Sequence, residues 1–95
     1  MKYEDMSDFE INCCVHAEVM QISGLNSFKA KDYCNNPSDA WPIIIDNHIS
    51  IECVTANRHT FTYRAYHSAS FTKSTHENPL RAAMIVFLKM REKAQ

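Results

Sequence analysis

Glycine is almost absent from this chain of 95 residues, which contains only Gly24. Walker loops and dinucleotide fingerprints need several glycines, because the backbone must approach the phosphate closely, so both are excluded.

Long apolar runs are also missing. The longest, Ala82–Leu88, has seven residues, whereas a membrane-spanning helix needs about 20. We therefore expect no membrane association. Since no secretory signal is visible either, we expect a cytoplasmic protein.

Paired metal ligands are lacking too. The four cysteines, Cys13, Cys14, Cys34 and Cys53, form no Cys-x2-Cys pair, and the five histidines are scattered along the chain. Structural zinc sites require ligands at fixed spacing, so we predict no metal and no cofactor. In a reducing cytoplasm the cysteines are expected to remain thiols.

The composition is that of one ordinary domain covering residues 1–95, since domains usually have about 50 to 250 residues. Apolar residues make up 45%, charged residues 22%, and the net charge is −1. The charge is unevenly distributed. Residues 1–46 hold eight acids and three bases, while residues 47–95 hold three acids and seven bases. Such an asymmetry is a hint of a nucleic-acid partner.

Two helices are indicated by their end signals. Ser7 and Glu10 have capping-box spacing, which predicts a helix from Asp8 to about Ile22, ended by Ser23-Gly24. Asn78-Pro79 suits the start of a second helix. Its segment Ala82–Leu88 is apolar on nearly all sides, as in helices that are buried on more than one side. Because a chain this short offers little to cover the second side, this helix is a candidate homodimer surface.

The sheet is predicted between the helices. Residues 25–42 are expected to form a long irregular loop that contains turn-forming residues. Ile43-Ile44-Ile45 and Ile49–Val54 are predicted to form a hairpin around Asp46-Asn47-His48. Thr60–Tyr66 alternates and is predicted as a third strand, while the polar segment His67–Glu77 is expected to be a loop.

The predicted fold class is therefore α+β. It is a small single domain with an N-terminal helix, a long loop, a two- to three-stranded antiparallel sheet and a C-terminal helix. Both helices are expected to pack on one face of the sheet.

The loop before the sheet is the first candidate site. Long loops in small domains are usually functional or packed down by their own side chains. Trp41, the only tryptophan, is interpreted either as a core anchor or as a surface aromatic for a partner. The candidate interaction loop consists of Asn35, Asn36, Pro37, Asp39 and Trp41.

The third predicted strand and the turn before it interleave basic and aromatic residues. Aromatic rings can stack on bases while Arg neutralises phosphate. The candidate nucleic-acid-binding residues are Arg58, His59, Tyr63, Arg64 and Tyr66. In the alternative interpretation, Phe61 and Tyr63 form the buried side of the strand. With a net charge of −1, binding would be weak and sensitive to salt.

Catalysis has the least support. Cys34 lies in a polar segment and is the best candidate nucleophile, but it needs a histidine within hydrogen-bond reach. No spacing favours one. Two of the carboxylates of Asp32, Asp39 and Asp46 could together bind a hard cation or act as acid and base, yet Asp in turns usually bonds local backbone. We predict that the protein is not an enzyme.

Three blocks of the sequence resemble the NinX-like proteins of lambda-type phages and prophages. They are Met6–Asn12, Asp32–Ile44 and Asn78–Leu88. The resemblance implies a phage-derived cytoplasmic protein from a gene cluster near replication and recombination functions, and it supplies no activity. The predicted function is a non-catalytic protein-interaction module with an unidentified protein partner. The alternative is a weak nucleic-acid-binding accessory protein linked to phage replication or recombination.

Overall fold

The computed structural model describes residues 2–20, 30–55, 57–58 and 60–94. A short 3-10 turn, Tyr3–Asp5, precedes the first helix, and another, Ser68–Ser70, separates the last two strands. The elements are α1 (Asp8–Met20), α2 (Pro37–Asp46), β1 (Ser50–Thr55), β2 (Phe61–His67), β3 (Thr72–His76) and α3 (Pro79–Lys93). The predicted α+β class is confirmed.

Helix α3 lies at the centre of the molecule. It packs against the sheet on one side and against α1 and α2 on the other. The prediction that both terminal helices lie on the sheet is therefore wrong for α1. This position explains the apolar circumference, because Arg81–Leu88 are all buried. The chain itself covers the segment that had suggested a dimer through α3, so the reason for that expectation is removed, while the homodimer stays a prediction.

Helix α1 begins as the sequence predicts. The Ser7 amide donates to a Glu10 carboxylate oxygen at 3.0 Å, and the Glu10 amide donates to the Ser7 hydroxyl at 3.1 Å. These reciprocal bonds satisfy two amides that the helix leaves open. The described helix ends at Met20. The predicted end at Ile22 and the Ser23-Gly24 stop lie outside the described residues.

Helix α2 occupies the place of the predicted loop end and first strand. The Asn36 side chain accepts from the Ser38 amide at 3.0 Å, and Pro37 is the first helical residue. Both are strong helix-start signals. Pro42 lies within the helix, and the β-branched run Ile43-Ile44-Ile45 is helical. The strand prediction there is wrong, because the end caps and packing against α3 outweigh β propensity.

The residues predicted as a hairpin turn end α2 instead. His48 has a positive φ of 55°. Its amide donates to Ile45 O, while the Ile49 amide donates to Ile44 O at 3.0 Å. This is a Schellman arrangement, in which a left-handed residue closes the helix and apolar residues on either side of it pack together. Ile44 and Ile49 are both buried.

The sheet has three antiparallel strands in the order β1-β2-β3. β1 and β2 confirm two predicted strands within one residue at either end. β3 corrects the prediction of a loop over His67–Glu77. It was missed because all five of its residues are polar, yet Thr72 and Ser74 are buried.

The two faces of the sheet differ. Ala65 lies opposite both Ile51 and Ser74, which places these residues on the face that α3 covers. The opposite face, called here the open face, carries Glu52, Val54, Arg64, Tyr66 and Lys73, which are half-buried or exposed. This division decides which predicted site residues can act together.

Candidate interaction surfaces

A polar cluster joins α1, the segment before α2 and the start of α3. We call it the asparagine cluster. Asn12 and Asn35 both donate to Asp32 Oδ1, at 2.9 and 3.1 Å, and Asn12 also accepts from the Cys34 amide at 3.0 Å. The members are Asp8, Asn12, Asp32, Cys34, Asn35, Asn78 and Arg81.

Asn78 has two roles in this cluster. Its side-chain oxygen accepts from the Leu80 and Arg81 amides and so caps α3, as the sequence predicts. Its side-chain nitrogen donates to Cys34 O at 2.7 Å and to Asn35 Oδ1 at 3.1 Å. One side chain therefore fixes both the start of α3 and the segment that leads into α2.

Arg81 connects the N-terminal segment to α3. Its side chain is 7% exposed and donates to Asp8 Oδ1 at 2.7 Å. It also donates to the backbone oxygens of Met6, at 2.6 Å, and Glu4, at 3.3 Å. Burial alone would raise the pKa of Asp8, but hydrogen bonds from Arg81 and Asn35 hold it below its ordinary value.

Cys34 is unsuited to the role of nucleophile. It is fully buried, and burial raises the pKa of its thiol to about 12. Its sulfur lies 3.9 Å from Asp8 O as a weak donor. Because the thiolate is the reactive form, such a thiol is inert at neutral pH. The carboxylates also lie in separate places, since Asp32 belongs to the asparagine cluster while Asp39 and Asp46 stand near opposite ends of α2.

The predicted interaction loop divides into two parts. Asn35, Asn36 and Pro37 make intramolecular bonds or start α2, so their structural roles are plain. Asp39 is half-buried in the first turn of α2, while Trp41 is 59% exposed. The interpretation of Trp41 as a core anchor is therefore wrong.

Trp41 belongs to an exposed apolar surface that the sequence did not reveal. Ile45, one helical turn later, is 51% exposed, and Pro42 between them is exposed as well. Ala40, Ile43 and Ile44 form the buried side of the same helix. We call Trp41, Pro42 and Ile45 the α2 surface. These residues share one side of the chain because residues 37–46 are helical, whereas the sequence pattern predicted a strand over Ile43-Ile44-Ile45.

The predicted nucleic-acid-binding residues do not form one surface. Arg64 and Tyr66 lie on the open face, while Tyr63 is on the face towards α3, and Arg58 is exposed in the bend before β2. His59 lies outside the described residues. Arg64 also forms an ion pair with Glu52 at 2.6 Å. In the alternative interpretation Phe61 and Tyr63 form the buried side of the strand. In the structure Tyr63 is half-buried and Phe61 is 51% exposed.

A depression of about 460 Å³ extends from the open face to the turn before β3. Phe71 and Lys73 line it together with Arg64 and Tyr66. Phe71 has a φ of 54° and is 91% exposed. Phe71 and Lys73 were not predicted as site residues, because the segment His67–Glu77 was expected to be a loop.

The described part of the chain contains no group of three or more His, Cys, Asp or Glu side chains that could hold a metal ion. Among the described helices, none has the length and hydropathy needed to cross a membrane.

These features define a small α+β protein with a central helix and two separate exposed surfaces. The family described as "Bacteriophage P22, NinX" matches residues 2–91, and the chain belongs to this family. It is therefore a phage-derived protein. No curated protein and no solved structure matches the chain. The three sequence blocks that indicated the family meet in the asparagine cluster, through Asp8 and Asn12, Asp32–Asn35, and Asn78 with Arg81.

Proposed function

We propose that this protein is a non-catalytic interaction module and that the α2 surface contacts its protein partner. The observation that carries the proposal is the exposure of Trp41, at 59%, beside exposed Ile45. A tryptophan in water forgoes a large part of the burial energy that its side chain can provide. Protein interfaces place such residues at their centres, where they contribute most of the binding energy.

The neighbourhood of Trp41 supports a preformed surface. Asn36 caps the first turn of α2, and the Schellman arrangement closes its last turn. The opposite side of the helix packs against α3. Because the helix is held at both ends and along one side, binding through Trp41 would cost little ordering of the backbone. We expect the partner to offer an apolar pocket large enough for the indole ring.

Comparative affinity capture tests this proposal. The baits are the wild-type protein and the variant Trp41→Ser with Ile45→Ser, in lysate of cells in which the phage replicates. Phe71→Asn is the matched control, because it removes a more exposed aromatic residue elsewhere and asparagine tolerates a positive φ. We expect one protein to be captured by wild type and control and to be at least about tenfold depleted with the double variant.

The captured protein is then purified and titrated against wild type. Since Trp41 is the only tryptophan, a partner without tryptophan gives a fluorescence change that reports this surface alone. Saturable binding with a blue-shifted Trp41 emission would support the proposal. Equal capture by all three baits, or binding without any change at Trp41, would contradict it.

The second candidate function is weak nucleic-acid binding on the open face. Its support is the grouping of Arg64, Tyr66 and Lys73 around one depression, with exposed Phe71 beside it. The ion pair between Glu52 and Arg64 argues against this function, because the carboxylate already neutralises one of the cations. Fluorescence anisotropy with short single- and double-stranded DNA tests it at low and physiological salt. Saturable binding that falls with salt and is lost in Arg64→Ala with Lys73→Ala would support this function.

A further inference from the structure

Strand β1 forms one edge of the sheet and, among the described residues, pairs only with β2. An edge strand offers a row of backbone amides and carbonyls to another strand. Every residue of β1 is exposed except half-buried Val54. The edge is therefore accessible along its whole length.

The other edge of the same sheet is protected. Lys89 and Lys93 of α3 reach β3 and the turn before it, where they donate to Lys73 O at 3.4 Å and to Ser70 O at 3.0 Å. Lysines at an edge discourage the addition of a further strand. β1 contains neither lysine nor proline, and Arg64 balances its one charge, Glu52. The sheet is thus open to strand addition at β1.

We propose that β1 pairs antiparallel with β1 of a second copy and forms a homodimer with a continuous six-stranded sheet. The two-fold axis of such a dimer runs perpendicular to the sheet, so each face continues into the same face of the second copy. Directly opposed residues share a face, and faces alternate along a strand. One residue of β1 must therefore lie directly opposite its own copy, with the axis between the two. An axis level with the gap between two successive residues would oppose residues from different faces.

Only two registers of this kind pair five of the six residues of β1. An axis at Glu52 places the two Glu52 carboxylates directly opposite each other, which is destabilising. An axis at Cys53 pairs Glu52 with Val54, Ile51 with Thr55, and Cys53 with Cys53 of the second copy. Like-charge repulsion therefore selects the register centred on Cys53.

This register also covers exposed apolar surface. Ile51 is 37% exposed and Phe61 is 51% exposed, and both share a face with Cys53. In the dimer Ile51 lies beside Thr55 of the second copy. Thr55 in turn lies opposite Phe61 of its own copy, so these side chains form one row across the sheet. A contact limited to five residues is smaller than the roughly 1,200 Å² of a stable interface. We therefore expect a dimer that forms in the micromolar range or above.

Disulfide trapping tests the register directly. Cys53 is exposed, whereas Cys13 and Cys34 are buried and Cys14 is partly buried. Added diamide takes two electrons and two protons from two Cys53 thiols as the bond forms between them. The control variant Cys53→Ser with Thr55→Cys carries its thiol on the same face and edge. We expect wild type to be linked at least about tenfold faster, with mass spectrometry showing a Cys53–Cys53 bond.

Sedimentation equilibrium tests the pairing without a covalent bond. Wild type should show a concentration-dependent increase towards twice the monomer mass. Cys53→Lys, which sets two ammonium groups opposite each other on an exposed strand, should remain a monomer with an unchanged circular dichroism spectrum. Equal linking rates at positions 53 and 55, or a wild type that stays monomeric at about 1 mM, would overturn the proposal.

Discussion

The asparagine cluster and the β1–β2 hairpin are held together in opposite ways. The cluster ties segments that are far apart in the chain, as Arg81 and Asp8 are separated by 73 positions. The hairpin joins neighbours in sequence, and β1 is exposed along nearly all of it. One region is therefore built to fix the architecture, while the other presents backbone and side chains to solvent. The two arginine–carboxylate pairs make the comparison quantitative.

Breaking the ion pair in the asparagine cluster should destabilise the protein most. Arg81→Met keeps most of the side-chain volume but removes the bonds to Asp8, Met6 O and Glu4 O. We expect the free energy of unfolding to fall by about 3 kcal/mol, because Arg81 is 7% exposed and its loss leaves two backbone carbonyls without their donor as well as breaking the bond to Asp8. Urea denaturation measures the change.

Arg64→Met in the hairpin is the matched control. Its ion pair with Glu52 has a similar distance, 2.6 Å, but both side chains are more than 40% exposed. We expect a loss of at most about 0.5 kcal/mol, as for other exposed pairs. Equal losses in the two variants would show that the contrast between the regions is wrong.

The reactivity of the cysteines should also differ between the two regions. Cys34 is fully buried in the cluster, and burial raises its pKa to about 12, while Cys53 is exposed in β1. With iodoacetamide at neutral pH, we expect Cys53 to be modified at least about a hundredfold faster than Cys34. Mass spectrometry of the digested protein follows both sites. Rapid modification of Cys34 in the folded protein would contradict this expectation and would support the hypothesis that Cys34 is a nucleophile.

The hairpin was largely predictable from the sequence, and the cluster was not. Alternating apolar and polar residues indicated β1 and β2 because adjacent strands are specified by local pattern. In α2 the local signals conflicted, since Ile43-Ile44-Ile45 favours a strand while Asn36-Pro37 favours a helix start. The exposure of Trp41 depends on that choice. The partners of Asn78 beyond its own helix lie more than 40 positions away, where no local pattern indicates them.

The two helix caps provide an intermediate test. Asn78 caps α3 and also bonds Cys34 O, whereas Asn36 caps α2 through the Ser38 amide alone. We expect Asn78→Ala to cost about 2 kcal/mol and Asn36→Ala about 1 kcal/mol, because only the first also leaves a carbonyl in the cluster without its donor. Thermal and urea denaturation measure both. A larger loss in Asn36→Ala would contradict the central place of Asn78.

Removing the charge of Asp8 should change the acid sensitivity of the protein only slightly. Its pKa lies below the ordinary value of 3.8, because hydrogen bonds from Arg81 and Asn35 outweigh the opposing effect of burial. The stability that Asp8 contributes is therefore present above the unfolded-state pKa and is lost as the pH falls through the lower folded-state pKa. In Asp8→Asn we expect a shallower fall of stability between about pH 5 and pH 2.

The difference should be modest for two reasons. The Asp8 side chain is 43% exposed, so solvent screens its pairing with Arg81. Glu4 and Glu10 also have lowered pKa values, through hydrogen bonds from Lys89 and from the Ser7 amide respectively, and both remain in the variant. Urea titrations at several pH values measure the slope. Because the asparagine keeps an oxygen for Arg81, an unchanged slope would mean that the charge of Asp8 adds nothing to this bond, and that the cluster is held by hydrogen bonding alone.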